Sequence, residues 1–405
     1  MMNVTLTCNT GLGTGGQGVC LANAATGLSK LADLTVYCSG LEAPKTNFQV
    51  YPVGHSHWSR RILKTPILRR RNDLAVLLSD LYFDQQVSKK LKSQSCDLIM
   101  GVAGQTNLGF KVAKSRGAKA WLYCLNNYLP FMQQQIKQEL KYLADPTVAT
   151  MNPLMLRRFL SECSQADLVI VLSEVAKQSF IQAGFTPDKV AVLTPFVDTH
   201  RFRPIPKIDD VFRVLYVGTI EPRKGLPYLV DAFLQADISN SELLIVGGTS
   251  TRGLKIFMEK TLSQHSHIKQ EFWDFSTADP TQVFGKSSVL VLPSVEDGFG
   301  LVALEAMACG LPVIVTSHCG AADVVDNGFN GFILPPRDVN SLAEKLVFLA
   351  EDEARRLEMG KAARSTAEKQ TPEAYQQQLQ GIFQQEKLLQ QGTGNREQGT
   401  GLKVS

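Results

Sequence analysis

The sequence predicts an α/β protein built as two halves, each a doubly wound parallel sheet. Short β-rich runs bounded by turn residues recur along the chain, at spacings that leave room for a helix between them. The pattern breaks at a stretch holding Pro195, Pro204 and Pro206 with the charged run Lys207 to Asp210, and then restarts. The chain has 405 residues, 44% hydrophobic and 20% charged, which suits two globular domains and excludes wholesale disorder.

In the first half the strands expected are Asn3 to Cys8, Leu34 to Cys38, Asp97 to Gly101, Ala120 to Leu125, Leu168 to Leu172 and Val190 to Leu193. Gly18 to Leu31, Gln105 to Ser115 and Ser173 to Ala183 read as helices, the last opening on a Ser cap and closing at Gly184. The second half offers strands Val211 to Val217, Glu242 to Val246, Ser288 to Leu292 and Pro312 to Thr316. Its helices are Leu226 to Leu234, Leu301 to Ala308, Val339 to Leu349 and a charged one from near Asp352. Tyr375, Leu379, Ile382 and Phe383 then recur at helical spacing. The domains expected are therefore 1–195 and 211–371, followed by a terminal helix over 372–389. Gly and polar residues with little to bury make 390–405 a disordered tail.

Net charge is +4, too small a bias over this length to imply nucleic acid. The eight cysteines include no C-x-x-C pair, so reduced structural thiols are expected and neither a zinc site nor a disulfide framework. No apolar run approaches the roughly 18 residues of a spanning helix, and no secretory signal stands near residue 1, so a cytoplasmic location is expected. Residues Trp58 to Arg71 are basic and interleaved with apolar side chains. Arg60, Arg61, Lys64, Arg69, Arg70 and Arg71 suit either peripheral contact with an anionic membrane surface or a solvated basic face, and Pro66 interrupts any long helix there.

Chemistry is expected at two glycine turns. After the first strand, Gly11, Gly13 and Gly16 stand at G-x-G-x-x-G spacing before a helix, as in a dinucleotide-binding turn. Such a turn brings unpaired N–H groups to a phosphate. The acid that would hold a ribose is poorly placed, because Asp33 precedes the second strand and Glu42 lies beyond Ser39 and Gly40. In the second half, Ser294 to Val313 follows a strand, at the carboxyl end where open α/β sheets bind ligands. Asp297 and Glu305 lie eight residues apart, within roughly 12 Å along a helix axis. Gly298 and Gly300 bare the backbone between them, at a helix N-terminus suited to a phosphate. Upstream, Val217 to Gly225 puts Arg223 and Lys224 at a second carboxyl-end loop, within reach of phosphate oxygens. Ser317 to Val325 adds a further glycine turn and Asp323. The Glu351-Asp352-Glu353 run is read as a solvated face paired with Arg355 and Arg356, not as a metal site.

The runs DGFGLVALEAMACGLPV, the K-G turn, GAADVVDNGFNGF and ADLVIVLSEVAK resemble glycosyltransferase family 4, the group 1 glycosyltransferases, which are retaining enzymes of the GT-B fold. The resemblance covers most of residues 1 to 385 and is strongest from Ala166 to Pro336. It implies two Rossmann-like domains facing a cleft, with the last helix crossing back to the first. A UDP- or GDP-sugar donor is held mainly by the second domain, and a glycan or lipid-linked acceptor mainly by the first. Glu305 matches the glutamate that accepts from the donor ribose, and Lys224 the lysine that neutralises the diphosphate. Asp297 stands where the family has a glutamate touching the transferred sugar; Glu296, at an offset of nine from Glu305, fits the motif less well. Thr219 replaces an arginine that often follows the glycine matched by Gly218, so Arg223 is assigned the second positive charge. Phe299, Gly15 and Gly16 complete the donor-binding set. Asn126 or Asn127 stands near the place of the family's missing histidine. No metal and no cofactor are implied. A non-catalytic nucleotide- or glycan-binding protein, an NAD-dependent oxidoreductase, and within the GT-B fold an epimerase or phosphorylase stay open as alternatives.

Overall fold

The computed structural model describes residues 2–39, 46–53, 72–140, 151–273 and 279–397. The first half holds strands β1 (Asn3–Cys8), β2 (Asp33–Cys38), β3 (Gln49–Pro52), β4 (Leu98–Val102), β5 (Lys119–Cys124), β6 (Leu168–Val171) and β7 (Val190–Val192). They form a parallel sheet in the order β3-β2-β1-β4-β5-β6-β7. Its described helices are α1 (Gly15–Ser29), α2 (Asn72–Leu91), α3 (Asn107–Ser115), α4 (Leu129–Gln138), α5 (Pro153–Gln165) and α6 (Glu174–Gln182). The second half holds β8 (Phe212–Val217), β9 (Ser241–Val246), β10 (Ile268–Glu271), β11 (Val289–Leu292), β12 (Val313–Thr316) and β13 (Gly331–Leu334), in the order β10-β9-β8-β11-β12-β13. Helices α7 (Leu226–Ala236), α8 (Arg252–Gln264), α9 (Thr281–Gly285), α10 (Leu301–Ala308), α11 (Val339–Glu351), α12 (Glu353–Ala367) and α13 (Pro372–Glu397) follow the same order of chain. Both sheets reverse strand order beside their first strand, which opens a ligand crevice at the carboxyl ends.

Local chemistry explains these elements. Every residue of β4, β8 and β11 is buried, as in parallel strands covered by helices on both faces. Side-chain oxygens cap the helices where the sequence offers them: Ser173 accepts from the Ala176 N–H at 3.0 Å, and Asp338 from Ser341 at 3.0 Å. Asp352 does the same for Arg355 at 2.9 Å, so the acidic run there serves as a helix start. In the first glycine turn, α1 begins at Gly15, ahead of the expected Gly18. Gly18 itself must lack a Cβ, which would stand 2.2 Å from the Gly11 carbonyl oxygen.

Helix α13 packs on the first half. Leu379 is fully buried, Phe383 meets Trp121 edge-on at 4.7 Å, and a Cβ on Gly27 would stand 2.8 Å from Leu379. The helix runs on to Glu397, past Leu389 where the sequence expects a tail to begin, because extending a formed helix costs far less than starting one. Only 398–405 of that stretch, and all of the basic residues from Arg60 to Arg71, lie outside the described residues.

The two halves meet along a seam of close backbone contacts. A Cβ on Gly298 would lie 2.1 Å from the Leu125 carbonyl oxygen, and one on Gly320 would lie 2.5 Å from Ser173 Oγ. Ser173 Oγ donates to the Gly298 carbonyl at 2.8 Å. Glu139, fully buried just after α4, accepts from Tyr228 Oη at 2.8 Å and from Arg337 Nε at 2.7 Å, both in the second half. Asp323 reaches the other way and accepts the Glu174 N–H at the start of α6.

The glycine contact gives a direct test of closure. Gly298→Ala should keep the halves from meeting and enlarge the radius of gyration in small-angle X-ray scattering. Gly381→Ala, on a helix with open space around it, should leave the profile unchanged and add stability of about 0.5–1 kcal/mol. An unaltered profile for Gly298→Ala would show that the seam does not close there in solution.

Candidate active site

The site forms where two carboxyl-end loops of the second sheet lie side by side. After β8 the chain makes a turn at Gly218 and Thr219, then a 3₁₀ turn over Pro222–Lys224. Gly225 ends that turn in the left-handed region (φ 67°), where a Cβ would sit 2.0 Å from the Pro293 carbonyl oxygen. This approach lays Arg223 and Lys224 against the segment after β11. The Arg223 carbonyl accepts from the Val295 and Glu296 N–H groups at 2.8 and 3.2 Å, which fixes the register between the two loops.

Lys224 Nζ pairs with Asp297 Oδ2. The Arg223 guanidinium lies 2.9 Å from Glu221, 3.6 Å from Glu296 and 3.8 Å from Asp297. Of the residues that the sequence singles out, the structure brings together Arg223, Lys224 and Asp297; beside them stand Glu296, which fits the motif less well, and Glu221, which the sequence does not single out. Burial pushes the Asp297 carboxyl up, but Lys224 and Arg223 outweigh it and hold the group below its ordinary range. Burial dominates at Glu296 and raises it despite Arg223. Burial lowers Arg223, yet Glu296, Glu221 and Asp297 together carry it above its ordinary value. The arrangement is a mostly buried cluster in which Asp297 contacts both cations.

From Asp297 the chain passes Gly298, the buried Phe299 and Gly300, which opens α10 in the left-handed region (φ 81°). The Phe299 carbonyl accepts from the Ala321 N–H at 2.7 Å, so the turn is anchored to the glycine loop after β12. Glu305 follows on α10, half-buried. Desolvation raises its carboxyl to about 7, against a lowering pull from Arg201. It shares no ion pair with Lys224 or Arg223 among the described residues.

The first half contributes the opposing wall. Asn127, buried after β5, donates its N–H to Glu296 Oε1 at 3.1 Å and turns its amide nitrogen toward the His318 carbonyl at 3.5 Å. The backbone of Asn126 lies against Gly298, with its Cα 2.7 Å from where a Cβ would stand. His318 places Nδ1 3.1 Å from the Val295 carbonyl and its ring 5.3 Å from Phe131; burial lowers its pKa. The S-H-C-G run holding it is visible in the sequence, but nothing there says that it meets Asn127.

Gly15 and Gly16 stand exposed at the start of α1, with no atom within 4 Å of a built Cβ. No described contact joins them to Lys224 or Asp297. The dinucleotide reading fares worse: Asp33 opens β2 at its amino end, opposite the crevice, and Glu42 lies outside the described residues.

The model for glycosyl transferases group 1 matches residues 198–366, and that for glycosyltransferase family 4 matches residues 14–201. An uncharacterised glycosyltransferase of Methanocaldococcus jannaschii is 35% identical over 156 residues, 38% of this chain and 43% of that protein. The capsular polysaccharide biosynthesis glycosyltransferase CapM of Staphylococcus aureus is 31% identical over 170 residues, 40% of this chain and 42% of CapM. The matches thus span less than half the length of these curated relatives. HepE from Anabaena, solved in complex with UDP, aligns over 95% of this chain and all of its own with a TM-score of 0.69 at 19% identity; it has also been solved with UDP-glucose. Two Rossmann-like parallel-sheet halves, tiled by two matching family models, place this chain among the group 1 glycosyltransferases of family 4, with the GT-B fold.

Proposed function

We propose that the chain is a retaining, metal-independent glycosyltransferase. It moves a hexose-type sugar from a UDP- or GDP-sugar to a glycan, lipid-linked or small-molecule acceptor on the cytoplasmic side of a membrane, without a cofactor. The observation that carries this is the pairing of Lys224 and Arg223 with Asp297 at the opening of α10. Cleaving the bond between an anomeric carbon and a diphosphate places negative charge on the leaving phosphate. Two half-buried cations and the N–H groups of a bare glycine turn stabilise charge developing at that point. Retention is carried over from the family.

The remaining roles follow position. Glu305 accepts hydrogen bonds from hydroxyls of the donor ribose, and Gly218 and Thr219 line the loop beside Lys224. Gly298, Phe299 and Gly300 hold the phosphates and sugar, with Asp297 accepting a sugar hydroxyl. Gly15 and Gly16 offer the exposed N-terminus of α1 to the diphosphate once the donor is bound. Asn126 and Asn127, on the opposing wall, meet the acceptor side. Binding of UDP and UDP-glucose by HepE supports a nucleotide-sugar donor here.

Thermal shifts with UDP, GDP, ADP, CMP, NAD and NADH test the reading. One nucleoside diphosphate at a hundred times its dissociation constant should stabilise the fold by about 2.7 kcal/mol, and Glu305→Ala should abolish the shift. A shift with NAD alone would point to a dehydrogenase; no shift at all would point to a non-catalytic protein.

Burial sets a pH dependence. The donor hydroxyls favour ionised Glu305, so the bound carboxyl has a lower pKa than the free one near 7, and binding releases a proton. Affinity for a nucleoside-diphosphate sugar should therefore rise as pH climbs toward 7, by up to about tenfold per pH unit, and level off above it. Calorimetric titration of Glu305→Gln should show no such slope.

The basic residues Arg60, Arg61, Lys64, Arg69, Arg70 and Arg71 are proposed to rest on an anionic membrane surface, each worth about 1 kcal/mol near it. Sedimentation with anionic liposomes should carry the wild-type chain down and leave a variant with Arg69 to Arg71 neutralised in solution. Equal sedimentation of the two would refute the contact.

A further inference from the structure

Glu296 is fully buried at the seam between the halves. One of its oxygens accepts the Asn127 N–H from the first half; the other has no hydrogen-bond donor and lies 3.6 Å from Arg223 Nη1 in the second. Asn127 Oδ1, in the same contact, is likewise without a donor. A buried carboxylate with a single hydrogen bond costs more than an apolar side chain of its size in that place. Packing alone therefore does not account for it. Asp297, next in the chain, differs: Lys224 and Arg223 both hold it.

The contacts form a chain from the first half to the donor cations. Asn127 grips Glu296, Glu296 faces the Arg223 guanidinium, and Arg223 sits beside Lys224. When the halves part, Glu296 loses Asn127 and gains water, and its attraction for Arg223 falls with the rise in local dielectric. When they close, the carboxylate is desolvated and the attraction grows. We propose that Glu296 is a positioning residue that couples closure of the two halves to the orientation of Arg223 toward the donor diphosphate. Bond cleavage is then favoured only once the acceptor-side wall is in place, which limits loss of the donor to water. The inference rests on the glycosyl-transfer reading above.

The test uses the full chain with UDP, UDP-glucose, GDP and GDP-mannose as probes, following nucleotide binding by calorimetry and nucleotide-sugar cleavage by release of the diphosphate. Glu296→Gln keeps an oxygen for Asn127 and removes the negative charge that faces Arg223. It should lower kcat about tenfold or more while the dissociation constant for the nucleoside diphosphate changes less than about threefold. Glu296→Asp restores the charge and should recover part of the loss; it also serves if the glutamine variant folds poorly. In an Arg223→Lys background Glu296→Gln should add little, because both changes break one linkage.

A Glu296→Gln protein with wild-type kcat would overturn the inference and leave the transfer reading intact. So would a loss that multiplies with that of Arg223→Lys, since Glu296 would then act apart from Arg223. A wild-type chain that binds and cleaves none of the four probes would overturn the transfer reading for these donors, and this inference with it.

Discussion

The ion pair between Lys224 and Asp297 ties the loop after β8 to the loop after β11, and the rest of the cleft is arranged around it. Both loops leave the same edge of a wholly parallel sheet, so two short connections bring residues 73 positions apart into contact. Around the pair stand Arg223, Glu221 and Glu296, giving three carboxylates to two cations. Without a bound anion, two cations this deep would lack partners, and the acids supply them. A diphosphate entering the site competes with Asp297 for Lys224. Under the proposed function, that exchange frees Asp297 to accept a hydroxyl of the sugar. The shorter reach of an aspartate, where the family has a glutamate, then matters less than its release from the lysine.

The seam shows how two rigid halves are held without being fused. On one side the join is apolar: Phe196 meets Tyr375 at 5.4 Å, Phe202 meets Phe284 at 6.0 Å, and one continuous core reaches from β1 through β11 to α13. On the cleft side the contacts are directional and polar, through Glu139, Asp323, Glu296 and Ser173. Arg337 makes its part of this seam from the left-handed region (φ 69°), a strained state for a residue with a side chain. Its guanidinium meets Glu139 and both the side chain and the carbonyl of Gln135, and these contacts offset the strain.

Much of the fold was legible because central parallel strands are continuous apolar runs. β4 and β11 announce themselves in this way, β8 does so after Arg213, and the caps at Ser173 and Asp352 mark the helices that follow. Two of the edge strands did not: β3 reads QVYP and β10 reads IKQE, each largely open to water and with no run to detect. Within the candidate site, Asp297, Lys224 and Arg223 lie on turns whose local spacing is informative, and Glu305 follows Asp297 by eight residues on α10. Glu296 was ranked below Asp297 for the opposite reason. Its importance comes from Asn127, 169 positions away, and no local spacing encodes that contact. The G-x-G-x-x-G count is likewise incomplete, since the turn also requires a glycine outside the motif, Gly18, besides Gly13 in the left-handed region within it.

The division between an apolar hinge side and a polar cleft side sets how the molecule can move. Apolar contacts are non-directional and tolerate small rotations at little cost, so the packing of α13 and of Phe202 survives a swing of one half against the other. Hydrogen bonds weaken steeply with angle, so the same swing breaks the bonds of Asn127 and Ser173. Parting the cleft-side contacts would exchange these polar bonds for water, at a net cost of about 1 kcal/mol each. It also uncovers Glu296, the one of these groups that faces Arg223 directly. Under the proposed function, a cleft held by a few such bonds suits a transfer between two substrates.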